Sequence, residues 1–303
     1  MKFSRREVEV LDCLVEKQYL AKELSVALNI KPANLSKLLK KLVSYSLIRV
    51  SREKRGKLVS PDYAVWFPFR NVKSKFSIIK LTDVLVGYAP FLLSFMKTKE
   101  QFTAKDLDLP IATAKRILKK LRSLGLVHMP LKGVYVLRKE AEIVAEFCRQ
   151  LVIRIYLDLA DKELKSIQQF YFSFNSAKEL EAVFVTDKIN QAKNYYLTSY
   201  SVFHQYGAQL ISSGKYYYAN KKPTIEDVAV HTLAISRDAR VIAYVTALMT
   251  KNKFNYSKLL EKKQRFDISK QFLRNLVEFV RSKGEKTVEG FPNWSEVEGV
   301  ING

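Results

Sequence analysis

The chain has 303 residues, and its 48% of hydrophobic residues is typical of a globular protein and excludes a disordered one. It has 52 lysines and arginines against 30 acidic residues, a net charge of +22. Residues 1–169 have 33 basic and 17 acidic residues, net +16, whereas residues 170–303 have 19 and 13, net +6. This concentration of positive charge indicates a polyanionic partner, most often nucleic acid, and we prefer that interpretation to a basic protein without such a partner.

Two cysteines, Cys13 and Cys148, lie among apolar residues, at a spacing that suits neither a disulfide framework nor a zinc site. The most apolar segment, residues 76–96, is interrupted by Lys80 and Pro90 and makes a poor membrane span. The first residues carry charges throughout, unlike a signal peptide. We therefore expect a cytoplasmic protein in a reducing compartment, with no membrane partner.

Residues 1–65 predict three helices and a β-hairpin, the element order of a winged helix-turn-helix. Apolar residues recur at helical spacing after Ser4, within "AKELSVALNI" and after Pro32. The stretch "IRVSREKRGKLVSP" predicts a strand, a basic turn and a returning strand. In this fold the third helix enters the major groove, and its N-terminal turns contact base edges.

The outward positions of the third helix carry residues that suit DNA. Asn34 can pair with adenine and Ser36 with a base or a phosphate, whereas lysines are better suited to phosphates. Residues 28–60 contain nine basic residues and one acidic residue. The DNA contacts predicted for this unit are Asn34, Ser36, Lys37, Lys40 and Lys41 on the helix, and Arg52, Lys54, Arg55 and Lys57 in the hairpin.

Residues 80–138 repeat this plan after an aromatic and basic connector at residues 66–79. "RILKKLRSLGLV" resembles "KLLKKLVSYSLI" 79 residues earlier, and "FTAKDL" resembles "YLAKEL". Pro90 is expected to bend or divide the first helix of this copy, and Gly133 to lie in the hairpin turn. The matching DNA contacts are Thr113, Lys115, Arg116 and Lys119.

The second hairpin is short and carries only Lys132 near its tip. We therefore expect the first unit to be the main reader of DNA. The alternative is that one unit binds DNA while the other only packs or contacts a protein.

Residues 139–169 predict a long linking helix. Its apolar residues lie three or four positions apart, a stripe that normally packs on its own domain; the alternative is the seam of a homodimer. The stripe consists of Val144, Phe147, Leu151, Ile155 and Leu159.

Residues 170–303 predict an α+β domain for effector binding or assembly. "AVFVTD" and "KYYYA" predict strands, and "TIEDVAVHTLAIS", "RDARVIAYVTALMTKN" and "ISKQFLRNLVEFVRSKG" predict helices. The three histidines, His128, His204 and His231, lie in different elements without metal-ligand spacing. His231, in an apolar helix, is expected to be a hydrogen-bonded core residue. Because no nucleophile elbow or nucleotide-binding fingerprint is present, we expect neither an enzyme nor a cofactor or metal site.

Two C-terminal stretches resemble a known family. "NYYLTSYSVFHQYG" (residues 194–207) and "PTIEDVAVHTLAISRDARVIAYVTALMTKN" (residues 223–252) are similar to the C-terminal region of AbiEi-family antitoxins and related prokaryotic winged-helix regulators. The resemblance covers about residues 180–283 and, in a general way, the N-terminal winged helix. The lysine-rich tandem arrangement also resembles archaeal transcriptional regulators.

The resemblance implies a winged helix that binds inverted repeats upstream of its own operon and represses it. It also implies a C-terminal domain that neutralises a nucleotidyltransferase-like toxin. By this resemblance Lys37, Lys40 and the basic residues of the hairpin would hold the operator. The surface around residues 195–206 and the helix that begins at Thr224 would serve regulation or contact a partner.

The sequence therefore predicts an α+β, mainly α fold, with two tandem winged helix-turn-helix units followed by an α+β C-terminal domain. The predicted function is a sequence-specific regulator that binds double-stranded DNA, expected to be a repressor. The first alternative is an autoregulating antitoxin that binds its toxin through residues 170–303. The others are an enzyme acting on nucleic acid and an RNA-binding protein, although RRM-type stacking motifs are absent.

Overall fold

The computed structural model describes residues 2–75, 79–178, 180–208, 214–261, 265–286 and 288–302. The structure is mixed α/β and mainly helical, as the sequence predicts. The chain divides into two compact units: unit 1 comprises residues 1–159 and 176–180, and unit 2 comprises residues 160–175 and 181–303. No described helix combines the length and the apolar character that a membrane crossing needs.

The first copy of the repeat is a three-helix unit with a small sheet. Its elements are α1 (Arg5–Glu16), β1 (Tyr19–Leu20), α2 (Ala21–Ala27), α3 (Pro32–Ser44), β2 (Ile48–Glu53) and β3 (Gly56–Pro61). The strands form an antiparallel sheet in the order β1-β3-β2, with Val50 opposite Val59. Helix α1 begins with a capping box. The Glu7 N–H donates to the Ser4 hydroxyl at 3.3 Å, and the Ser4 N–H donates to the Glu7 carboxylate at 2.8 Å.

The connector predicted at residues 66–79 is for the most part a helix, α4 (Tyr63–Lys75). Trp66 and Phe69 are buried, and the Trp66 indole N–H donates to the Leu47 carbonyl at 2.9 Å. Pro68 lies inside this helix. A proline is normally unfavourable within a helix, so the sequence pattern did not predict α4. Residues 76–78 of the predicted connector lie outside the described residues.

The second copy has the same sheet arrangement. Its elements are α5 (Leu81–Val84), α6 (Ala89–Lys97), β4 (Phe102–Thr103), a 3-10 helix (Ala104–Leu107), α7 (Ile111–Ser123), β5 (Val127–Leu131) and β6 (Val134–Leu137). The strand order β4-β6-β5 matches β1-β3-β2. Pro90 divides the predicted first helix, because it lies in the first turn of α6, where its missing N–H costs no helical hydrogen bond. The segment predicted as the second helix is the 3-10 helix.

The two copies end their third helix in the same way. The second residue after each helix has a left-handed backbone, Ser46 with φ 55° and Gly125 with φ 72°. The amide of the following leucine donates to the carbonyl five residues back, at 3.1 Å in the first copy and 3.0 Å in the second. This is a C-terminal cap with a left-handed residue, for which glycine is the favoured type.

Helix α8 (Glu142–Leu164) supplies much of the core of unit 1. It ends before residue 169, which lies in β7 (Ile167–Phe174), so the predicted helix is five residues too long at its C-terminal end. The ring of Phe147 packs 5.3 Å from that of Phe69. Val144, Phe147, Leu151 and Ile155 of the stripe are buried and Leu159 is half-buried, as expected for a helix that packs on its own domain.

Unit 2 combines one sheet with several helices. After β7 come β8 (Leu180–Thr186), β9 (Tyr196–Leu197), a 3-10 helix (Ser199–Tyr206) and β10 (Tyr216–Ala219), in the sheet order β7-β8-β10-β9. The helices are α9 (Ile225–Ile235), α10 (Ala239–Lys251), α11 (Tyr256–Glu261), α12 (Lys270–Arg281) and α13 (Trp294–Asn302). The strands predicted from "AVFVTD" and "KYYYA" are confirmed as β8 and β10, and the three predicted helices as α9, α10 and α12.

Candidate nucleic-acid interface

Helix α3 has one apolar face and one polar face. Leu35, Leu39 and Leu42 are buried against unit 1, as the 3.6-residue period requires. The predicted contacts Asn34, Ser36, Lys37 and Lys40 are all exposed on the other side. Lys37 and Lys40 have no ion pair with any residue that the structure describes.

The hairpin β2–β3 adds a second set of exposed cations. Arg52 and Lys57 lie opposite each other on the two strands, and Lys54 and Arg55 form the turn. Gly56 permits this turn because its φ of 132° disfavours residues with a side chain. All four basic side chains are exposed, and none pairs with an acidic group in the described ranges.

Two depressions border α3. A groove of about 400 Å³ separates the helix from the hairpin; Val43 and Val50 line it, and Lys22, Lys40 and Lys57 also contribute. Around the first turn of α3 a second depression, of about 590 Å³, is bordered by a basic and polar set comprising Arg6, Lys31, Asn34 and Lys37. The basic surface therefore extends from the hairpin across α3 to its N-terminal end.

Lys41, which the sequence places among the DNA contacts, is half-exposed and forms an ion pair within the protein. Its ammonium lies 2.6 Å from a carboxylate oxygen of Glu7, whose side chain is only 5% exposed. It also donates to the Lys2 carbonyl at 3.4 Å. Lys41 therefore joins α3 to α1, a contact that sequence reasoning missed. The only sequence feature that points to this contact is Glu7, the acidic third residue of α1.

Helix α7 presents a similar surface with fewer cations nearby. Lys115, Arg116 and Lys119 are exposed and have no acidic partner among the described residues, whereas Thr113 is half-buried. The hairpin that follows contributes Lys132 at its tip. With Arg122, α7 and its hairpin present five cations without acidic partners among the described residues, against six on α3 and its hairpin.

Within unit 1 the first helices of the two copies pack against each other. Helix α1 contacts α5, and the Gly87 N–H donates to the Phe3 carbonyl at 2.9 Å. The Lys2 ammonium lies 4.1 Å from the centre of the Tyr88 ring. The two copies are thus joined through the elements that precede their candidate DNA-binding helices.

Unit 2 contains a buried polar cluster around Glu181. His231 Nε2 lies 3.0 Å from a Glu181 oxygen, and its Nδ1 lies 2.8 Å from the Thr198 hydroxyl. Arg265 donates from Nε to Glu181 at 2.7 Å and from a terminal nitrogen to Asp227 at 2.8 Å. Burial acts to raise the pKa of Glu181, but the His231 hydrogen bond and the Arg265 charge outweigh it and lower that pKa to about 2.

The hydroxyl of Thr198, the imidazole of His231 and the carboxylate of Glu181 are hydrogen-bonded in the order of a catalytic triad, but they lie in the core of unit 2. Thr198 is fully buried and His231 is 1% exposed, so neither side chain is open to solvent. The prediction that His231 is a hydrogen-bonded core residue is confirmed. His128 is half-buried and His204 is exposed. Across the described residues, no group of three or more His, Cys, Asp and Glu side chains is arranged to hold a metal ion.

Residues 192–302 match the model of a family of C-terminal domains, HVO_2833_C. The match covers less than half of the chain and lies within unit 2. No curated protein and no solved structure matches the chain significantly. The matched segment overlaps the one that resembles AbiEi-family antitoxins, but the match does not concern that family, so the antitoxin role stays a prediction.

Proposed function

We propose that this protein is a sequence-specific transcriptional regulator that binds double-stranded DNA through two winged helix-turn-helix units. One observation carries the proposal. The exposed sides of α3 and its hairpin present six basic side chains without acidic partners among the described residues, next to Asn34 and Ser36. The half-exposed Lys41 is paired instead with the acidic Glu7. A merely solvated helix would normally mix both signs of charge on its outer face.

The chemistry assigns different roles to the two kinds of residue. Asn34, near the N-terminal end of α3, is placed to read adenine in the major groove through its amide. Lys37 and Lys40 contact the flanking phosphates, and the hairpin cations hold the adjacent backbone. Each phosphate contact releases bound counterions, which makes binding strong and salt-dependent. Binding across a promoter excludes polymerase, so the proposed effect on transcription is repression.

The test is equilibrium binding of the full-length protein to labelled duplexes of its own upstream DNA and of the same DNA shuffled. We expect roughly a thousandfold preference for the upstream sequence. Affinity should fall with salt, with a log-log slope of about 0.9 per phosphate contact. A reporter gene driven by the upstream sequence should be expressed less when the protein is present.

The variant Lys37→Ala/Lys40→Ala tests the assignment to α3. We expect at least tenfold weaker binding and a salt slope shallower by about 0.9 for each phosphate that is no longer neutralised. The control Lys222→Ala/Lys253→Ala changes the net charge equally at exposed positions of unit 2. It should bind within about twofold of the parent.

Each contrary outcome has a distinct meaning. A Lys37→Ala/Lys40→Ala protein that binds like the parent would exclude α3 as the reader. Salt-dependent binding without sequence preference would indicate a non-specific DNA-binding protein. If the parent fails to bind DNA at low salt, the proposal is wrong.

A further inference from the structure

Unit 2 has a cleft of about 680 Å³ between β10, the 3-10 helix at Ser199–Tyr206 and the first turns of α10. This volume is within the usual range for small-molecule sites, about 300–1,000 Å³. Four tyrosines line it: Tyr200, Tyr216, Tyr217 and Tyr244. The rings of Tyr200 and Tyr217 lie 5.4 Å apart at an interplanar angle of 71°. Such walls suit a flat ring, which can stack on one tyrosine and meet the edge of another.

Positive charge lies beside these aromatic walls. Lys215 and Arg240 are exposed in the lining, and Lys215 has no partner among the described residues. The Arg240 guanidinium lies 5.8 Å from the centre of the Tyr244 ring, an arrangement that leaves its other donors available to an anion. Asp238, the acid in the described lining, caps α10 by accepting the Val241 N–H at 2.9 Å.

Tyr200 supplies a neutral donor at the same place. Burial raises the pKa of its phenol well above the ordinary value, so the hydroxyl keeps its proton at neutral pH. The structure gives this hydroxyl no hydrogen-bond partner within the described ranges of the chain, although the side chain is half-buried. The cleft therefore combines aromatic walls, two cations and a phenolic donor.

We propose that this cleft binds a small molecule in which a planar ring is joined to an anionic group, either a mononucleotide or an aromatic carboxylate. The ring would pack on the tyrosines, and the anion would meet Lys215 and Arg240. A neutral ring would make no ion pair with either cation, and an anion without a ring would leave the tyrosine side chains exposed to water. The inference is independent of DNA binding, because every residue involved lies in unit 2.

The experiment is isothermal titration of the full-length protein with matched probes. AMP, GMP, CMP and UMP represent nucleotides, and indole-3-acetate represents aromatic carboxylates. The four matching nucleosides and indole-3-acetamide keep the ring without the charge, and inorganic phosphate keeps only the charge. We expect at least one charged ring to bind tenfold or more tightly than its neutral counterpart and than phosphate. The identity of that probe decides between the two sources.

Variants locate the binding site. Arg240→Gln and Lys215→Gln should each weaken the best probe at least fivefold, while Tyr200→Phe tests the hydroxyl alone and should weaken it about threefold. The control Lys270→Gln removes an exposed charge from α12, outside the cleft, and should leave binding unchanged. The proposal is overturned if no charged ring binds more tightly than its controls, or if neither Arg240→Gln nor Lys215→Gln weakens binding.

Discussion

The Lys41 ammonium lies 2.6 Å from the Glu7 carboxylate, which also accepts the Ser4 N–H at the start of α1. The second copy has the same relationship: 79 residues after Lys41, the Lys120 ammonium lies 2.9 Å from Asp83, and Asp83 accepts the N–H that precedes α5. In each copy, a lysine near the end of the third helix pairs with the acid at the start of the first. The internal repeat thus extends to a tertiary ion pair.

Lys41→Met should destabilise unit 1 by about 1–2 kcal/mol, because it leaves the buried Glu7 carboxylate without its cation. The two tryptophans, Trp66 and Trp294, lie in different units, so a Trp294→Phe background lets Trp66 fluorescence report on unit 1 alone. Urea denaturation of this background protein, with and without the substitution, measures the change.

Lys40→Met is the matched control, since Lys40 is exposed on the same helix and has no ion pair among the described residues. Its effect on the free energy of unfolding should stay within about 0.5 kcal/mol. Equal losses from the two substitutions would show that the pair with Glu7 does not stabilise the fold.

Gly125→Ala should lower the free energy of unfolding of unit 1 by about 1 kcal/mol. Its φ of 72° costs a residue with a side chain roughly this much, although a Cβ there meets no other atom. Gly299→Ala provides a contrast, because Gly299 lies within helix α13 at negative φ, where alanine is favoured. We expect it to stabilise unit 2 by about 0.5–1 kcal/mol. If urea denaturation shows that both substitutions change the free energy of unfolding in the same direction, the backbone conformation of Gly125 is not the cause.

Acid should weaken unit 2 through Glu181. The folded-state pKa of about 2 lies below the ordinary value of 4.5, so protons bind preferentially to the unfolded state. The stabilisation is complete above pH 4.5 and is lost as the pH falls from there to 2. It amounts to roughly 3 kcal/mol by linkage. Trp294 fluorescence in a Trp66→Phe background reports the urea midpoint of unit 2 at each pH.

Glu181→Gln should lose most of this acid sensitivity, because the amide does not titrate. Glu289→Gln removes an exposed carboxylate and should keep the acid sensitivity of the parent. If Glu181→Gln and its parent lose stability in parallel between pH 4.5 and 2, the ionised Glu181 is not the source.

Asn34→Ala should relax sequence discrimination, whereas removal of a lysine should change the salt dependence. Removing a bidentate hydrogen bond to adenine costs about 1–3 kcal/mol at one base position and leaves the salt slope intact. Binding to a set of upstream duplexes with single base changes would identify that position. Uniform weakening across all duplexes would instead show that Asn34 contacts the DNA backbone.

Arg116→Ala/Lys119→Ala should weaken DNA binding less than Lys37→Ala/Lys40→Ala does, because fewer free cations surround α7. Both double variants remove two exposed positive charges, so charge alone does not distinguish them. The reverse order of affinities, measured in one buffer, would make α7 the main reader.

Local patterns in the sequence are sufficient to predict many of the helices and strands. The 3.6-residue apolar period predicts α3 and α7, and it also identifies most of their exposed residues, with Lys41 and Thr113 as exceptions. Helix α4 was missed because Pro68 interrupts its pattern. The start of β7 was missed because no glycine or proline separates residues 167–169 from the predicted helix. These two errors arise where tertiary packing outweighs local preference.

The candidate sites were predicted unevenly, for a similar reason. The exposure of Lys37 and Lys40 follows from helix geometry alone, but that of Lys41 depends on Glu7, which is distant in sequence. The tyrosine cleft combines residues from a 3-10 helix, a strand and the start of α10. No spacing in the sequence brings such residues together.

The packing of α1 against α5 joins the two copies within one polypeptide. In a symmetric homodimer every substitution appears in both halves, so the two readers change together. Here a single codon change alters one of the two proposed DNA-binding helices and leaves the other as it was. The hairpins already differ in length and charge, while the lysine–acid pair is kept in both copies. The two halves can therefore evolve separately, and under the proposed function this gives access to an asymmetric DNA target without a second gene.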